Sequence, residues 1–262
     1  LVDAGHLKIQ NHKEIGFESF QDKEDYSAAN KGRYFGLGGT TASWGGLIFP
    51  YNETDVDINK DHFSTWKNCV EYVNNYKYNV LNELNFDTAD FNHVFENVNL
   101  NTENYRNTDI RVMSHFWLPH YSRNFQYLIK KNEKYLKDIT IFLNTVVKDF
   151  NFVNDSKLNN CKSIIGIAKN KNSVIINSKK FVIAAGAIES TRLLLELKTK
   201  NFFQDQKYLG HNLSDHLSSK IASIDNNQKN KIIQNYSPFF ENKWMKNNRF
   251  ILSNTQLSRR GY

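Results

Sequence analysis

The sequence predicts an α/β chain, α+β overall, and three stretches carry that expectation. Lys179–Leu197 reads KKFVIAAGAIESTRLLLEL, an apolar run followed by a small turn and a leucine-rich segment. Gly36–Gly46 reads GLGGTTASWGG, and the surrounding residues from Gly32 hold half of the chain's 12 glycines. Leu1–Gly5 reads as the end of a strand with an acid, Asp3, at its tip.

The first stretch predicts a buried strand over Phe181–Ala185, because a short, continuous apolar run suits a strand covered on both faces. Gly186 turns the chain, and its bare backbone allows close approach to a ligand. A helix is expected from about Glu189, where a carboxylate in the first turn complements the helix dipole. Leu193, Leu194 and Leu197 then share one face. Small residues at the exit of a buried strand suit a nucleotide at the carboxyl edge of an α/β sheet.

In the second stretch, glycines supply positive φ and leave no Cβ between the backbone and a ligand. Successive N–H groups can then point at a phosphate or a ring carbonyl. Thr40, Thr41 and Ser43 add short hydrogen-bonding side chains. The alternative is an ordinary glycine-rich loop. Asp3 matches the acid that follows a dinucleotide-binding glycine turn by about 20 residues and bonds the ribose. Its alternative is a loop carboxylate. No G-x-G-x-x-G occurs in the sequence.

Other segments are read from periodicity. Leu47–Ile58 suits an exit loop broken by Pro50. Trp66, Val70, Val73 and Tyr76 recur at helical spacing and predict an amphipathic helix against a core. Asn-rich stretches follow, near Asn92–Asn107. Met113–Tyr127 is aromatic and polar, with His115, His120 and Arg123, and Arg111 just before it. That set could floor a pocket for hydroxylated molecules, or serve as core strand and linker. Ile139–Phe150, Lys162–Lys169 and Ser173–Ile176 predict a meander of strands. Further strand-like pieces are Lys220–Ile224 and Asn248–Leu252, with an aromatic cluster at Tyr236, Phe239, Phe240 and Trp244.

Bulk properties exclude several classes. The chain has 262 residues, enough for one or two domains with a sizeable core. Hydrophobic residues make up 40% and aromatics 14%, which argues against disorder. The net charge is +7, but lysines are interleaved with Asn and acids rather than gathered on a stripe. A solvated surface is therefore expected, with an anionic partner or membrane surface as the alternative; a nucleic-acid partner is not expected, and no apolar run suits stable membrane insertion. Only Cys69 and Cys161 occur, outside any CxxC or His/Cys cluster, so no metal site is expected and a reduced, cytoplasmic setting is.

Three motifs, in order, resemble the signatures of the glucose–methanol–choline (GMC) flavin oxidoreductases. The strand ending Ala-Ala-Gly-Ala-Ile before a Leu-rich helix is similar to that family's second signature. GLGGTTASWGG is similar to its Gly-Gly-Thr/Ser flavin loop. Leu209–His216, LGHNLSDH, is similar to its Gly-x-Asn-Leu-x-Asp-His segment. The resemblance implies a Rossmann-like FAD-binding domain with an inserted, incomplete substrate-binding domain. Residues 1–58 and 135–217 would form the two parts of the FAD domain. Residues 59–134 would form a substrate-domain insertion or cap, and residues 218–262 the start of the substrate-binding domain.

The resemblance also implies the cofactor contacts. These fall on Asp3, on Gly38, Gly39, Thr40, Ser43, Trp44, Gly45 and Gly46, and on Val147, whose backbone would bond the adenine. They continue at Ala185 and Gly186, then Asn212, Asp215 and His216. Some sugar-oxidising members link FAD to a His before the Trp. Ser43 stands there, so FAD is expected to be non-covalent. The implied activity is oxidation of a CH–OH group of a sugar, polyol or alcohol by hydride transfer to flavin N5. The electron acceptor is not specified.

The resemblance covers the middle of a full-length member, without the glycine turn at the front or the His-bearing catalytic segment at the back. A partial sequence that alone binds FAD poorly and turns over nothing is the corresponding expectation. No catalytic base is assigned. His115, His120, His211 and His216 lie outside the segment that carries it in the family. Asp215 and His216 are sequence neighbours on an expected loop, which does not make them a dyad. Another flavoenzyme class on the same fold, or a non-catalytic relic or binding domain, remains the alternative.

Overall fold

A computed structural model of the chain describes residues 1–17, 31–48, 64–86, 110–155, 158–200, 202, 205–215, 220, 223–241 and 243–252. It is a mixed α+β structure with three small antiparallel sheets. The chain divides into two interleaved units. The first is Leu1–Thr40 with Glu133–Ser223, and the second is Thr41–Asn132 with Ile224–Tyr262.

In the first unit, β1 (Gln10–Asn11) pairs with β2 (Tyr34–Phe35). A short helix α4 (Glu133–Lys137) leads to the meander of β5 (Thr145–Asp155), β6 (Leu158–Ala168) and β7 (Ser173–Asn177). The three strands are antiparallel neighbours in chain order. Their β-branched runs, such as Val146-Val147 and Ile164-Ile165, suit a pleated half-buried surface. The first strand starts at Thr145 rather than near Ile139, which is exposed. Asn144 is the reason. It adopts a left-handed φ of 50°, which breaks the extended run before Thr145.

Helix α5 (Gly186–Thr199) follows and buries Leu193 and Leu197, while Leu194 is half-buried. It begins three residues before the expected Glu189, at an N-cap (Ala185) that makes no side-chain capping bond. Beyond its end, Phe202 stacks on Phe152 of β5 with ring centroids 3.9 Å apart. Lys200 pairs with Asp149 at 2.5 Å.

Two expectations are corrected in this unit. Phe181–Ala185 forms no strand: it has no sheet partner among the described residues, and Val182 is 89% exposed. An apolar run becomes a buried strand only where other strands and layers accept it, and none of the described strands lies alongside. For the same reason no parallel Rossmann sheet is present among the described residues. Among the described residues one parallel bridge joins Val2 to Phe142.

In the second unit, β3 (Leu47–Ile48), β4 (Ile110–Trp117), β9 (Trp244–Leu252) and β8 (Phe239–Glu241) form one antiparallel sheet in that order. Leu47–Ile48, expected in a loop, is thus an edge strand opposite Trp117 and Phe116. After β4 come α2 (His120–Arg123) and α3 (Phe125–Lys131). Asn124 caps α3, its side chain accepting from the Gln126 and Tyr127 amides. Helix α6 (Lys229–Tyr236) precedes β8.

Helix α1 (Ser64–Glu83) forms where its spacing predicts, but it docks on a different face. Val70, Leu81 and Leu84 are buried, whereas Trp66, Val73 and Tyr76 are exposed. Only Val70 of the expected four is buried. The hydrophobic cluster of this unit joins Leu81, Leu84, Phe86, Phe116, Leu118 and Trp244. Phe86 stacks on Trp244 at 4.2 Å and meets Phe116 edge-on at 5.4 Å. Burying a side chain such as Phe116 contributes about 1.5–3 kcal/mol. Lys220, Ser223 and Ile224 form no strand. Asn92–Asn107 and residues 221–222 lie outside the described residues.

Candidate cofactor site

Asp3 is the point where the first unit converges. Leu1–Asp3 runs beside residues 140–145: Phe142 N–H donates to the Leu1 carbonyl at 2.8 Å, and Asp3 N–H to the Phe142 carbonyl at 2.9 Å. Thr145 N–H then donates to the Asp3 carbonyl at 3.0 Å, and Asn144 N–H to the Gly5 carbonyl at 2.8 Å. The strand tip is therefore bonded to the start of β5, two residues before Val147. The Asp3 side chain reaches the other way. Its Oδ1 accepts from Gly5 N–H at 2.8 Å and from Gly36 N–H at 2.7 Å.

That second bond crosses 33 residues and fixes the glycine segment against the strand tip. The approach is close. A Cβ built on Gly36 would lie 2.5 Å from the His6 carbonyl oxygen, and Gly36 has φ +121°. A Cβ on Gly5 would lie 2.7 Å from the Phe35 carbonyl oxygen. Leu37 N–H donates to the His6 carbonyl at 3.1 Å, and Gly39 N–H to the Gly36 carbonyl at 2.8 Å. Gly38 and Gly39 have φ of 93° and 51°, so the expected left-handed turn is present.

The Asp3 carboxylate is half-buried, and burial pushes its pKa up. The Gly5 and Gly36 N–H groups pull it down without offsetting the burial. Both backbone bonds fall on Oδ1. Oδ2 takes no hydrogen bond among the described residues, which leaves an acceptor of the kind a ribose diol requires. The residues present therefore fit an adenosine ribose at this position.

Val147 pairs with Gly166 where the β5–β6 register shifts, between Val147 and Asp149. Ala185 N–H donates to Ser190 Oγ at 3.0 Å, which turns the chain into α5. Gly186 has φ +80°, and a Cβ there would meet no atom within 4 Å. Glu189 in the first turn of α5 does not face a free site. It pairs with Arg33 at 2.6 Å and with Arg192 at 2.8 Å. Burial alone would raise the Glu189 pKa, but hydrogen bonds from Arg192 and Arg33 and their charges more than offset it, so the carboxyl is held low. The Arg33 bond ties the approach to the glycine segment to the start of α5.

The 205–215 loop is tied to α5 as well. Lys198 Nζ donates to the Gln206 carbonyl at 3.0 Å, and Gly210 lies against Leu195. Asn212 adopts a left-handed φ of 58°, and Asp215 is exposed. His216 lies outside the described residues. Thus Asp3, Gly36 and Gly39 share one hydrogen-bonded neighbourhood with the start of β5, and Gly38 and Thr40 flank Gly39 in the chain. Ala185 and Gly186 open the helix to which Arg33 is bonded.

Ser43, Trp44, Gly45 and Gly46 belong to the second unit. There the loop is bonded to the residues after β4. Trp44 Nε1 donates to the Arg123 carbonyl at 2.9 Å, Phe125 N–H to Thr41 Oγ1 at 3.1 Å, and Leu118 N–H to the Gly46 carbonyl at 2.8 Å. Of the aromatic and polar set, His115 is buried and His120 is exposed. Trp117 donates from Nε1 to Asn247 Oδ1 at 2.8 Å, and Arg249 lies over its ring. Strand alternation separates Ser114, which bonds Asn248 at 2.6 Å, from His115 and Trp117.

Sequence reasoning missed Gly5, Arg33, Thr145 and Arg123 as partners. The Arg123–Gly45 and Arg33–Glu189 contacts span 78 and 156 residues and no local pattern signals them, whereas Gly5 bonds Asp3 only two residues away. Among the described residues no His, Cys, Asp or Glu cluster could hold a metal ion, and no helix is long and apolar enough to cross a membrane. Comparison with family models, with curated proteins and with solved structures finds no match to this chain.

Proposed function

We propose that the chain carries the adenosine-binding part and the glycine loop of an FAD-dependent oxidoreductase resembling the GMC family, acting on a CH–OH group of a sugar, polyol or alcohol. The observation that supports this most is the convergence on Asp3. Its main chain bonds the strand bearing Val147, its Oδ1 bonds the glycine segment at Gly36, and its Oδ2 is left for a ribose.

In this reading Asp3 accepts hydrogen bonds from the ribose hydroxyls, and its two backbone bonds keep the carboxylate from rotating away. The backbone of Val147 orients the adenine. Gly38 and Gly39 supply the left-handed turn beside Asp3, and Thr40 follows them with a hydroxyl; by the resemblance, Ser43 stands where a covalent link would need an imidazole. When bound, the flavin supplies the hydride acceptor. No described atom lies within 4 Å of a Cβ built on Gly186, so a ligand can approach the backbone there.

The test is the flavin content of the longest in-frame product that carries this sequence. The product is purified, incubated with FAD, desalted and denatured, and the released flavin is identified. One FAD per chain is expected. A product that retains no flavin overturns the proposal. With flavin present, turnover on sugars, polyols and aliphatic alcohols, against amines as controls, assigns the donor class.

A further inference from the structure

The glycine loop of the second unit is held by one side chain. Arg123 closes α2, and its Nη1 donates to the Gly45 carbonyl. Its Cδ lies against Gly46, where a Cβ could not fit beside it; Gly46 has φ +78°. In return, the Trp44 indole donates to the Arg123 carbonyl at 2.9 Å. Three consecutive loop residues therefore contact a single arginine.

No described carboxylate offsets the charge of that arginine by an ion pair. The Arg123 Nε is sealed from solvent without a hydrogen-bond partner, and so is Oγ of the neighbouring Ser122, a residue only 1% exposed. A guanidinium presents five N–H donors in a fixed planar fork, suited to carboxylate and phosphate oxygens. A cation with donors unspent behind a glycine loop favours an anion on that loop.

We propose that Arg123 is the positioning residue of the Thr41–Gly46 loop and makes it a receiver for a ligand group that carries negative charge. For the identity of the ligand this rests on the flavin reading above. The positioning and the preference for an anion do not.

The experiment follows hydrogen exchange of the loop amides, residues 41–48, in wild type, Arg123→Gln and Arg123→Lys, with inorganic phosphate as the anion probe and chloride at matched ionic strength as control. Far-UV circular dichroism verifies that each variant folds. In Arg123→Gln the loop amides are expected to exchange about tenfold faster or more. Phosphate should slow exchange in wild type, partly in Arg123→Lys, which keeps the charge, and not in Arg123→Gln. A purely structural role would not give this charge-dependent order. Unchanged loop exchange in Arg123→Gln overturns the positioning role. Equal phosphate protection in all three proteins, or none in wild type, overturns the anion preference. Flavin content is measured separately, so a product without flavin defeats the functional reading while these outcomes still decide the role of Arg123.

Discussion

Replacing Gly36 by alanine should separate unit-one assembly from the rest of the molecule. The new Cβ would lie 2.5 Å from the His6 carbonyl oxygen, and the backbone stands at φ +121°, which L-residues rarely adopt. Holding such a conformation costs about 1–3 kcal/mol, and forcing a methyl into a closed contact costs about 1–3 kcal/mol more. A total of about 2–6 kcal/mol is expected from these two terms. The Asp3–Gly36 bond would lengthen as the two backbones part. Gly16→Ala is the control: φ is +75° there, but nothing lies within 4 Å of its Cβ, so only the backbone term applies. Urea unfolding of both variants gives the difference. Gly36→Ala should be the less stable by about 1 kcal/mol or more. Equal midpoints would refute the close approach of the Gly36 backbone to His6.

Three further outcomes follow. Val182→Lys should change stability by less than about 0.5 kcal/mol, as for an exposed site. The buried strand expected from the sequence would instead lose several kcal/mol on receiving a charge, so a urea melt decides between the two. Glu189 has a folded pKa below its ordinary value, so its contribution is present at neutral pH and is lost as pH falls through that lowered value. The urea midpoints of wild type and Glu189→Gln should differ at pH 7 and converge in acid. Asp149 behaves likewise: a hydrogen bond from Lys200 lowers its pKa most, aided by the Phe150 amide. Because that pair is well exposed, Lys200→Ala should move the midpoint only slightly.

The sequence made local periodic elements legible. Leu193 and Leu197, one turn apart, marked the buried side of α5, and alternating β-branched residues marked the meander. The Asn124 cap before FQYLIKK offered a readable signal for α3 that the aromatic content of the segment obscured. Packing was less legible. The spacing of Trp66, Val70, Val73 and Tyr76 is helical, yet it does not tell which side of α1 meets Phe116 and Trp244. The site was legible as residue types: an acid at a strand tip and glycines in a loop. The bonds that assemble it were not. Asp3 to Gly36 and Arg33 to Glu189 join positions far apart in the chain, and charge or glycine content alone does not name the partner.

The most direct test of the account is the dissociation constant of FAD for the longest in-frame product carrying this sequence, wild type against Asp3→Asn, with FMN as control. An Asn can keep the Oδ1 acceptor for Gly5 and Gly36, but it places an amide donor where Oδ2 stands. Losing a charged hydrogen bond costs about 1.5–3 kcal/mol, or roughly 10- to 150-fold in affinity. That loss is expected for FAD, with no change for FMN, which lacks the adenosine, and with a retained unfolding midpoint. Wild-type affinity should also weaken as pH falls through the Asp3 value, which lies above the ordinary 3.8. Equal FAD affinity in the two proteins, or no FAD binding by wild type, would contradict the FAD reading.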